Sequence, residues 1–255
     1  MKRRKLLRYA GASVLAATAT TALSQSPSAQ AQAQGVSLKW LGHTCFLFSG
    51  GRKRILVNPF RTLGCTAGYR LPRVEADLAL ISSQLFDEGA AENLPGNPDI
   101  LFEPGAYTAE GIQFQGIAIA HDRVGGRRFG QNVAWLWTQG GVKILHLGGA
   151  AAPIEIEQQI LMGRPDVLLL PVGGGPKAYN ASEAFAAMQM LNPRLVIPTH
   201  YRTQAAGAQC DIEGLDSFLS LVDNAKVSRV NSDTLRVSQS SLPSEMAVRV
   251  MSYSF

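Results

Sequence analysis

The sequence has only three cysteines, and their spacing matches neither a zinc knuckle nor a Cys-x-x-Cys redox motif. It has no internal repeat with a period of 20 to 50 residues, and no low-complexity linker follows residue 35. Beyond the N-terminal segment, no apolar run reaches the roughly 18 residues that a membrane-spanning helix needs. These absences exclude a zinc ribbon, a dithiol redox protein and a repeat protein, and they leave one ordinary globular domain.

The chain also lacks a true excess of positive charge. Its formal net charge of +5 comes from 24 basic and 19 acidic residues. Residues 1–31 contain five of the basic residues and no acid, and removing these five from 24 leaves 19 against 19. The neutral remainder gives no basis for a nucleic-acid partner or for binding to an anionic membrane.

Residues 1–33 have the composition of an export signal, with a basic start, a moderately apolar stretch and Ala-x-Ala cleavage patterns. The pair Arg3-Arg4 resembles a twin-arginine signal, and a general secretory signal remains the alternative. We therefore expect an exported protein without an integral membrane segment after cleavage. Its compartment is the periplasm, or a thylakoid lumen if the source has thylakoids. The mature part, residues 34–255, is expected to form a single domain.

The order of secondary structure changes along the chain. Short alternating or apolar runs predict strands and hairpins up to about residue 149. After that point helical patterns alternate with fully apolar strands, which indicates βαβ-like units. The segments that carry these predictions are "VSLKWLGH", "CFLFSG", "KRILVNPF", "ADLALIS", "GIQFQGIAIAHD", "APIEIEQQILM", "PDVLLLPVGGG", "NASEAFAAMQML" and "RLVIPTHY". The expected fold class is α/β (α+β), with sheets covered by helices.

Six segments in this order resemble the metallo-β-lactamase fold over about residues 36 to 205. They are "WLGHTCFLFSGGRKRILVNPF", "DLALISSQLFDEG", "IAIAHD", "KILHLGGA", "DVLLLPVGGG" and "LVIPTHY". Within that fold the pattern is most similar to the L-ascorbate-6-phosphate lactonase-like metal-dependent hydrolases. The resemblance implies an αββα sandwich of two mixed β-sheets. It also implies that the ends of several strands meet at one common edge.

The resemblance also implies that most of the dinuclear metal site is lost. The family holds two divalent metals, usually zinc, with a His-x-His-x-Asp-His loop, two later histidines and a bridging carboxylate. Here Ser83 and Leu85 stand at the first two loop positions, and Gly149 stands at the bridging carboxylate. A leucine and a glycine supply no metal ligand.

The remaining ligand positions allow one divalent ion (Zn, Mn or Fe) or none. The tentative ligand set is Asp87, Glu88 and His200, and His121 is a possible further ligand or a possible general base. Other positions are expected only to line the cleft, and His43 and His146 are interpreted as mainly structural. The lining positions are His43, Asn58, Gly149, Gly173 and Gly174.

Two functions follow from this reading. The first is a hydrolase of unknown substrate that uses one metal or none, and the second is a pseudoenzyme that binds a small molecule or a protein partner in the old cleft. The resemblance further places Cys65 and Cys210 at the mouth of that cleft, which makes them candidates for a disulfide, with two free thiols as the alternative. Cys45 is expected to be a buried free thiol.

Overall fold

The computed structural model of the protein describes residues 35–255, so the predicted export signal lies outside the described part. The strands are β1 (Val36–Gly42), β2 (Cys45–Gly50), β3 (Lys53–Val57), β4 (Leu78–Leu80), β5 (Asp99–Leu101), β6 (Gly105–Ala109), β7 (Ile112–Ala120), β8 (Gln131–Gln139), β9 (Val142–His146), β10 (Val167–Pro171), β11 (Leu195–Thr199), β12 (Val227–Val230), β13 (Thr234–Val237) and β14 (Ala247–Met251). The helices are α1 (Ile156–Met162), α2 (Ala181–Leu191) and α3 (Asp216–Leu219).

The strands form two mixed sheets, as the sequence predicted. The first sheet has the order β13-β1-β2-β3-β4-β5, and the second has the order β12-β14-β11-β10-β9-β8-β7-β6. In the first sheet β3, β4 and β5 are parallel, and in the second β9, β10, β11, β14 and β12 are parallel. The intervening pairs are antiparallel. The sandwich of two mixed β-sheets expected from the resemblance is therefore confirmed.

The main core lies between the sheets and follows directly from strand periodicity. Along β1 every second residue is buried, whereas β10 and β11 are buried at every position. Alternation is typical of a strand with one covered face, and continuous burial is typical of a central parallel strand. Phe48 of the first sheet packs edge-to-face on Trp137 of the second, with ring centroids 4.9 Å apart. Aromatic pairs of this kind stabilise the packing of the two sheets against each other.

Helices cover the second sheet, while loops cover much of the outer face of the first. A smaller apolar cluster under those loops contains Cys45, Leu56, Phe60, Tyr69 and Leu94. Within residues 35–255, no helix has the length and apolar character needed to cross a membrane.

The sheet directions decide where a site can form. Strands β1, β3 and β4 run the same way in the first sheet, and β7, β9, β10 and β11 run the same way in the second. Residues that follow the carboxyl ends of these strands therefore collect at one edge of each sheet. The segments after β1, β4 and β11 carry His43, Asp87 and His200.

Candidate metal centre

His43 lies in the tight turn between β1 and β2. Gly42 has φ +111° and His43 has φ +52°, so the chain turns through left-handed backbone at two successive residues. The indole Nε1 of Trp40 donates to the His43 carbonyl oxygen at 3.1 Å, which fixes the turn. The imidazole is buried, and its Nε2 has no hydrogen-bond partner. A buried, unpartnered ring nitrogen is costly unless a ligand uses it.

His200 follows β11 and is held in a similar way. It also has left-handed backbone, with φ +50°. Its carbonyl oxygen accepts a hydrogen bond from Gly173 N at 2.9 Å, and a Cβ at residue 173 would stand only 2.2 Å from that oxygen. Gly173 is therefore needed for the close approach of the two loops. The Nδ1 of His200 is buried without a partner, and its ring centroid is 4.3 Å from that of His43.

Asp87 completes a group of three possible metal ligands. One donor atom from each of His43, Asp87 and His200 lies within 4.8 Å of the other two. Two imidazoles and one carboxylate are a donor set that suits zinc, iron or manganese. Because two of the ring nitrogens are buried and unpartnered, the three residues fit a single divalent ion.

Burial keeps both histidines of this group neutral. It is the main cause that lowers the pKa of His43 to about 4 and the pKa of His200 well below its usual range. Burial alone would raise the pKa of Asp87, but the Lys177 ammonium group, His43 and His200 outweigh it and lower that pKa to about 2. At neutral pH the group therefore offers two neutral imidazoles and one carboxylate, which are the protonation states that metal binding requires.

Glu88 does not join this group but pairs with His121 instead. Its Oε2 lies 3.7 Å from His121 Nε2, and both side chains are buried. Burial first, and the neighbouring Asp87 charge second, raise the pKa of Glu88 to about 8. Burial also lowers the pKa of His121 to about 3. At neutral pH this pair is therefore a protonated carboxyl beside a neutral imidazole, with no net charge.

Gly149 stands directly against the Glu88–His121 pair. A Cβ at residue 149 would lie 2.8 Å from His121 Nε2 and 2.9 Å from Glu88 Oε2. These distances leave no room for the carboxylate side chain that the family uses as a bridge between two metals. Ser83 is buried and Leu85 is half-buried at the first two loop positions. The residues present on this side do not fit a second metal ion.

Among the lining positions, Asn58 and Gly174 are structural. Asn58 is buried and has left-handed backbone, with φ +51°. Its side-chain Oδ1 accepts a hydrogen bond from Ser82 N at 2.8 Å. Its Nδ2 donates to Thr44 Oγ1 at 3.4 Å. Asn58 thus links the end of β3 to the loops after β1 and β4. The Gly174 N–H donates to the Tyr179 carbonyl oxygen at 2.8 Å and closes the loop after β10.

The site residues predicted from the sequence do not include Lys177, which lies in that loop. Its Nζ forms an ion pair with Asp87 Oδ2, and the side chains are only 22% and 18% exposed, respectively. The sequence signal that could have indicated Lys177 is its position just after three glycines, at the carboxyl end of a buried parallel strand. His43 was predicted only to line the cleft, whereas the structure places it with Asp87 and His200.

The predicted disulfide is confirmed. Cys65 and Cys210 are bonded, with their Cα atoms 4.6 Å apart, and Cys45 is buried and free. The bond joins the loop after β3 to the loop that follows His200. Two backbone hydrogen bonds of 2.8 Å, Gly68 N to Ala205 O and Gly207 N to Gly64 O, support the same contact.

Comparisons with known proteins agree with this geometry. A family model described as the beta-lactamase superfamily domain matches residues 37–200. A UPF0173 metal-dependent hydrolase of Thermococcus onnurineus is 32% identical over 197 residues, which is 66% of this chain and 85% of that protein. A second protein of the same name, from Methanoculleus marisnigri, is 29% identical over 216 residues, covering 76% of this chain and 91% of the relative.

Solved structures give the same result. A proposed Zn-dependent hydrolase of the metallo-β-lactamase superfamily from Thermotoga maritima has a TM-score of 0.69 and 30% identity, covering 85% of this chain and 98% of that one. An isothiocyanate hydrolase from Delia radicum gut bacteria has a TM-score of 0.61 at 12% identity, which shows the fold alone. The lactonase-like specificity suggested by the sequence stays a prediction. The sandwich, the site at its edge and these relatives together show that the chain belongs to the beta-lactamase superfamily, among metal-dependent hydrolases of the metallo-β-lactamase fold.

Proposed function

We propose that this protein is an exported hydrolase that works with one metal ion at most, held by His43, Asp87 and His200, and that it has lost the dinuclear site of its family. The observation that carries the proposal is the group of three donor atoms within 4.8 Å, two of whose residues have buried, unpartnered ring nitrogens. The disulfide supports the exported location, because such bonds persist mainly in oxidising compartments.

The chemistry that one divalent ion supplies in such a site is Lewis-acid activation of water and of the scissile group. The chain itself positions the donors. Left-handed turns after β1 and β11 aim the two imidazoles at one point, and burial keeps their lone pairs free of protons. The neutral Glu88–His121 pair stands beside them and adds no charge. Substrates of the type that the fold hydrolyses, such as lactones, phosphoesters and other esters, are the proposed class.

The alternative function is a pseudoenzyme that binds a small molecule or a protein partner without chemistry. The observation that favours it is the ion pair of Asp87 with Lys177, which already neutralises the carboxylate. Metal content and hydrolysis, measured on the same preparation, separate the two functions.

The test uses protein purified without chelators. Elemental analysis should find up to one equivalent of metal per chain, and single substitution of His43, Asp87 or His200 by alanine should remove it. The affinity loss should exceed the roughly 10–100-fold that loss of an outer-shell partner costs. The Glu88→Gln variant is the control and should retain the ion. Two tightly bound equivalents would contradict the proposal.

The same proteins are then assayed on a panel of lactones, phosphomonoesters, phosphodiesters and carboxylic esters. Hydrolysis that depends on His43, Asp87 and His200 supports the enzyme. A metal-bound protein that hydrolyses none of the panel and binds a ligand in the cleft favours the pseudoenzyme.

A further inference from the structure

Lys177 occupies a central position in the cleft. Its ammonium group donates to Asp87 Oδ2, so the carboxylate that completes the ligand group already has a cationic partner. Both side chains are largely buried, and a partly buried charged hydrogen bond is stronger than a surface ion pair. Any metal ion that uses Asp87 must therefore share the carboxylate with this ammonium group or displace it.

The loop around Lys177 is built to hold this position. Arg123 reaches across from the segment after β7 and donates from Nη1 to Gly175 O and from Nη2 to Ala178 O, both at 2.9 Å. These two carbonyls flank Lys177 in the chain. The guanidinium group is itself fixed by two hydrogen bonds to the Glu183 carboxylate, at 2.7 and 2.6 Å. These hydrogen bonds fix the backbone of the loop. They do not involve the side chain of Lys177 itself.

The charge of Lys177 acts on the whole cluster. Burial is the main cause of the low pKa values of His43, His121 and His200, and the Lys177 charge adds to the effect at each of them. The ion pair of Asp87 with Lys177 lies at the centre of this cluster. The two charges of the pair cancel each other when no other cation is bound.

We propose that Lys177 is a tethered cation that competes with a metal ion for Asp87, so that its side chain sets the metal affinity of the site. The inference rests on the proposed one-metal function and adds its regulation. In the closed state Lys177 holds Asp87, and in the open state the lysine swings away and a divalent ion takes its place. Metal binding and the Lys177–Asp87 ion pair exclude each other.

The first test measures metal affinity directly. Zn²⁺ and Co²⁺ are titrated by calorimetry into the metal-free, disulfide-intact protein, and Co²⁺ binding is also followed by its visible absorption. Lys177→Met should bind either ion about 10–100-fold more tightly than the unmodified chain, since a hydrogen bond to a charged group is worth about that factor. Lys177→Arg, which keeps the charge, should stay weak.

Lys39→Met is the matched control. Lys39 forms a surface ion pair with Asp233 at 3.8 Å, so the variant also removes one lysine and one ion pair. Its metal affinity should equal that of the unmodified chain. If Lys177→Met binds metal no more tightly than the unmodified chain, and the latter binds one equivalent, the competition is refuted and the one-metal function stands. If neither protein binds metal, the competition fails, and so does the assignment of His43, Asp87 and His200 as the ligands of a single ion.

The second test needs no variant and asks whether the two states exclude each other. Lysine side chains of the unmodified protein are labelled by brief acetylation, with and without Zn²⁺, and the extent at Lys177 is read by peptide mass spectrometry. Zn²⁺ should increase the labelling of Lys177 several-fold, because the amine loses its partner, and should leave Lys39 unchanged. Unchanged or reduced labelling of Lys177 at saturating Zn²⁺ would refute displacement.

Discussion

His146 should make a measurable contribution to the loss of stability of this protein in acid. The side chain is buried at the end of β9, and both ring nitrogens are used by backbone groups. Gly148 N–H donates to Nδ1 at 3.0 Å, so Nδ1 must accept, and the proton must be on Nε2, which donates to Thr44 O at 2.9 Å. Protonation would put the second hydrogen of the ring on Nδ1, which could then no longer accept the bond from Gly148. The native state therefore resists protonation of His146.

The size of the effect follows from this resistance. Burial, opposed only by the bond to Thr44, lowers the pKa of His146 from 6.5 to about 4 in the native state. Between these values the unfolded chain binds a proton that the native state refuses, so stability falls as the pH falls. A difference of about 2.5 pH units, at 1.36 kcal/mol each, corresponds to about 3 kcal/mol. The steepest slope that His146 alone can contribute is about 1.4 kcal/mol per pH unit.

The assay is urea unfolding at several pH values from 7.5 to 4.5, on metal-free protein and on His146→Gln. The other three histidines also contribute to the slope, because burial lowers the pKa of each of them. Only the difference between the two proteins is therefore used. The variant should be less stable at pH 7.5 but should lose about 2–3 kcal/mol less than the unmodified chain on going to pH 4.5. Parallel curves for the two proteins would refute the reasoning.

Two further predictions concern the loops at the cleft. The Cys65–Cys210 bond closes a loop of 145 residues, for which the chain-entropy model gives a stabilisation of at most about 5 kcal/mol. The variant with both cysteines replaced by serine should therefore lose about 2–5 kcal/mol of unfolding free energy, measured by urea unfolding. A loss under about 1 kcal/mol would contradict this prediction. Gly149→Ala should lose about 1–3 kcal/mol because its Cβ meets the carboxyl and imidazole groups beside it at under 3 Å. Gly214→Ala, whose Cβ would meet nothing within 4 Å, is the control and should be neutral or nearly so.

Most of the fold could be predicted from the sequence because the central strands are continuous apolar runs. The run "VLLLP" and the run "LVIPT" are buried at every position, and such continuous apolar runs are typical of central parallel strands. The predictions missed β6, β12 and β13. Their sequences are "GAYTA", "VSRV" and "TLRV", so none has enough apolar residues to show a period. Each becomes a strand because a longer neighbour, β7, β14 or β1 respectively, offers it an edge to pair with.

The site was harder to predict because it depends on backbone turns and on side-chain reach. Asp87 and His200 could be assigned from the order of the segments. His43 faces the same point only because residues 42 and 43 both adopt left-handed backbone, which the sequence "GHT" does not specify. Lys177 reaches Asp87 across 90 positions of sequence. A contact of that kind depends on how the two sheet edges converge, and no local pattern reports it.

In the proposed one-metal site, the positions without a ligand and the positions with one differ in what surrounds them. Ser83, Leu85 and Gly149 supply no metal ligand. Glu88 and His121 lie so close to residue 149 that a Cβ there would be under 3 Å from both side chains. An aspartate introduced at position 149 alone would therefore collide with this pair.

The histidines of the proposed metal site, His43 and His200, are held by hydrogen bonds to their backbone carbonyls. The carbonyl oxygen of His200 anchors the loop after β10 through Gly173, and the carbonyl oxygen of His43 accepts the Trp40 indole hydrogen. Both contacts use the backbone carbonyl of the histidine, so they hold the two turns whatever the imidazoles bind. Asp87 keeps its charge because Lys177 offsets it. A buried carboxylate left without any partner would be protonated or strongly destabilising. Lys177 therefore keeps Asp87 ionised, and available as a ligand, when no metal ion is bound.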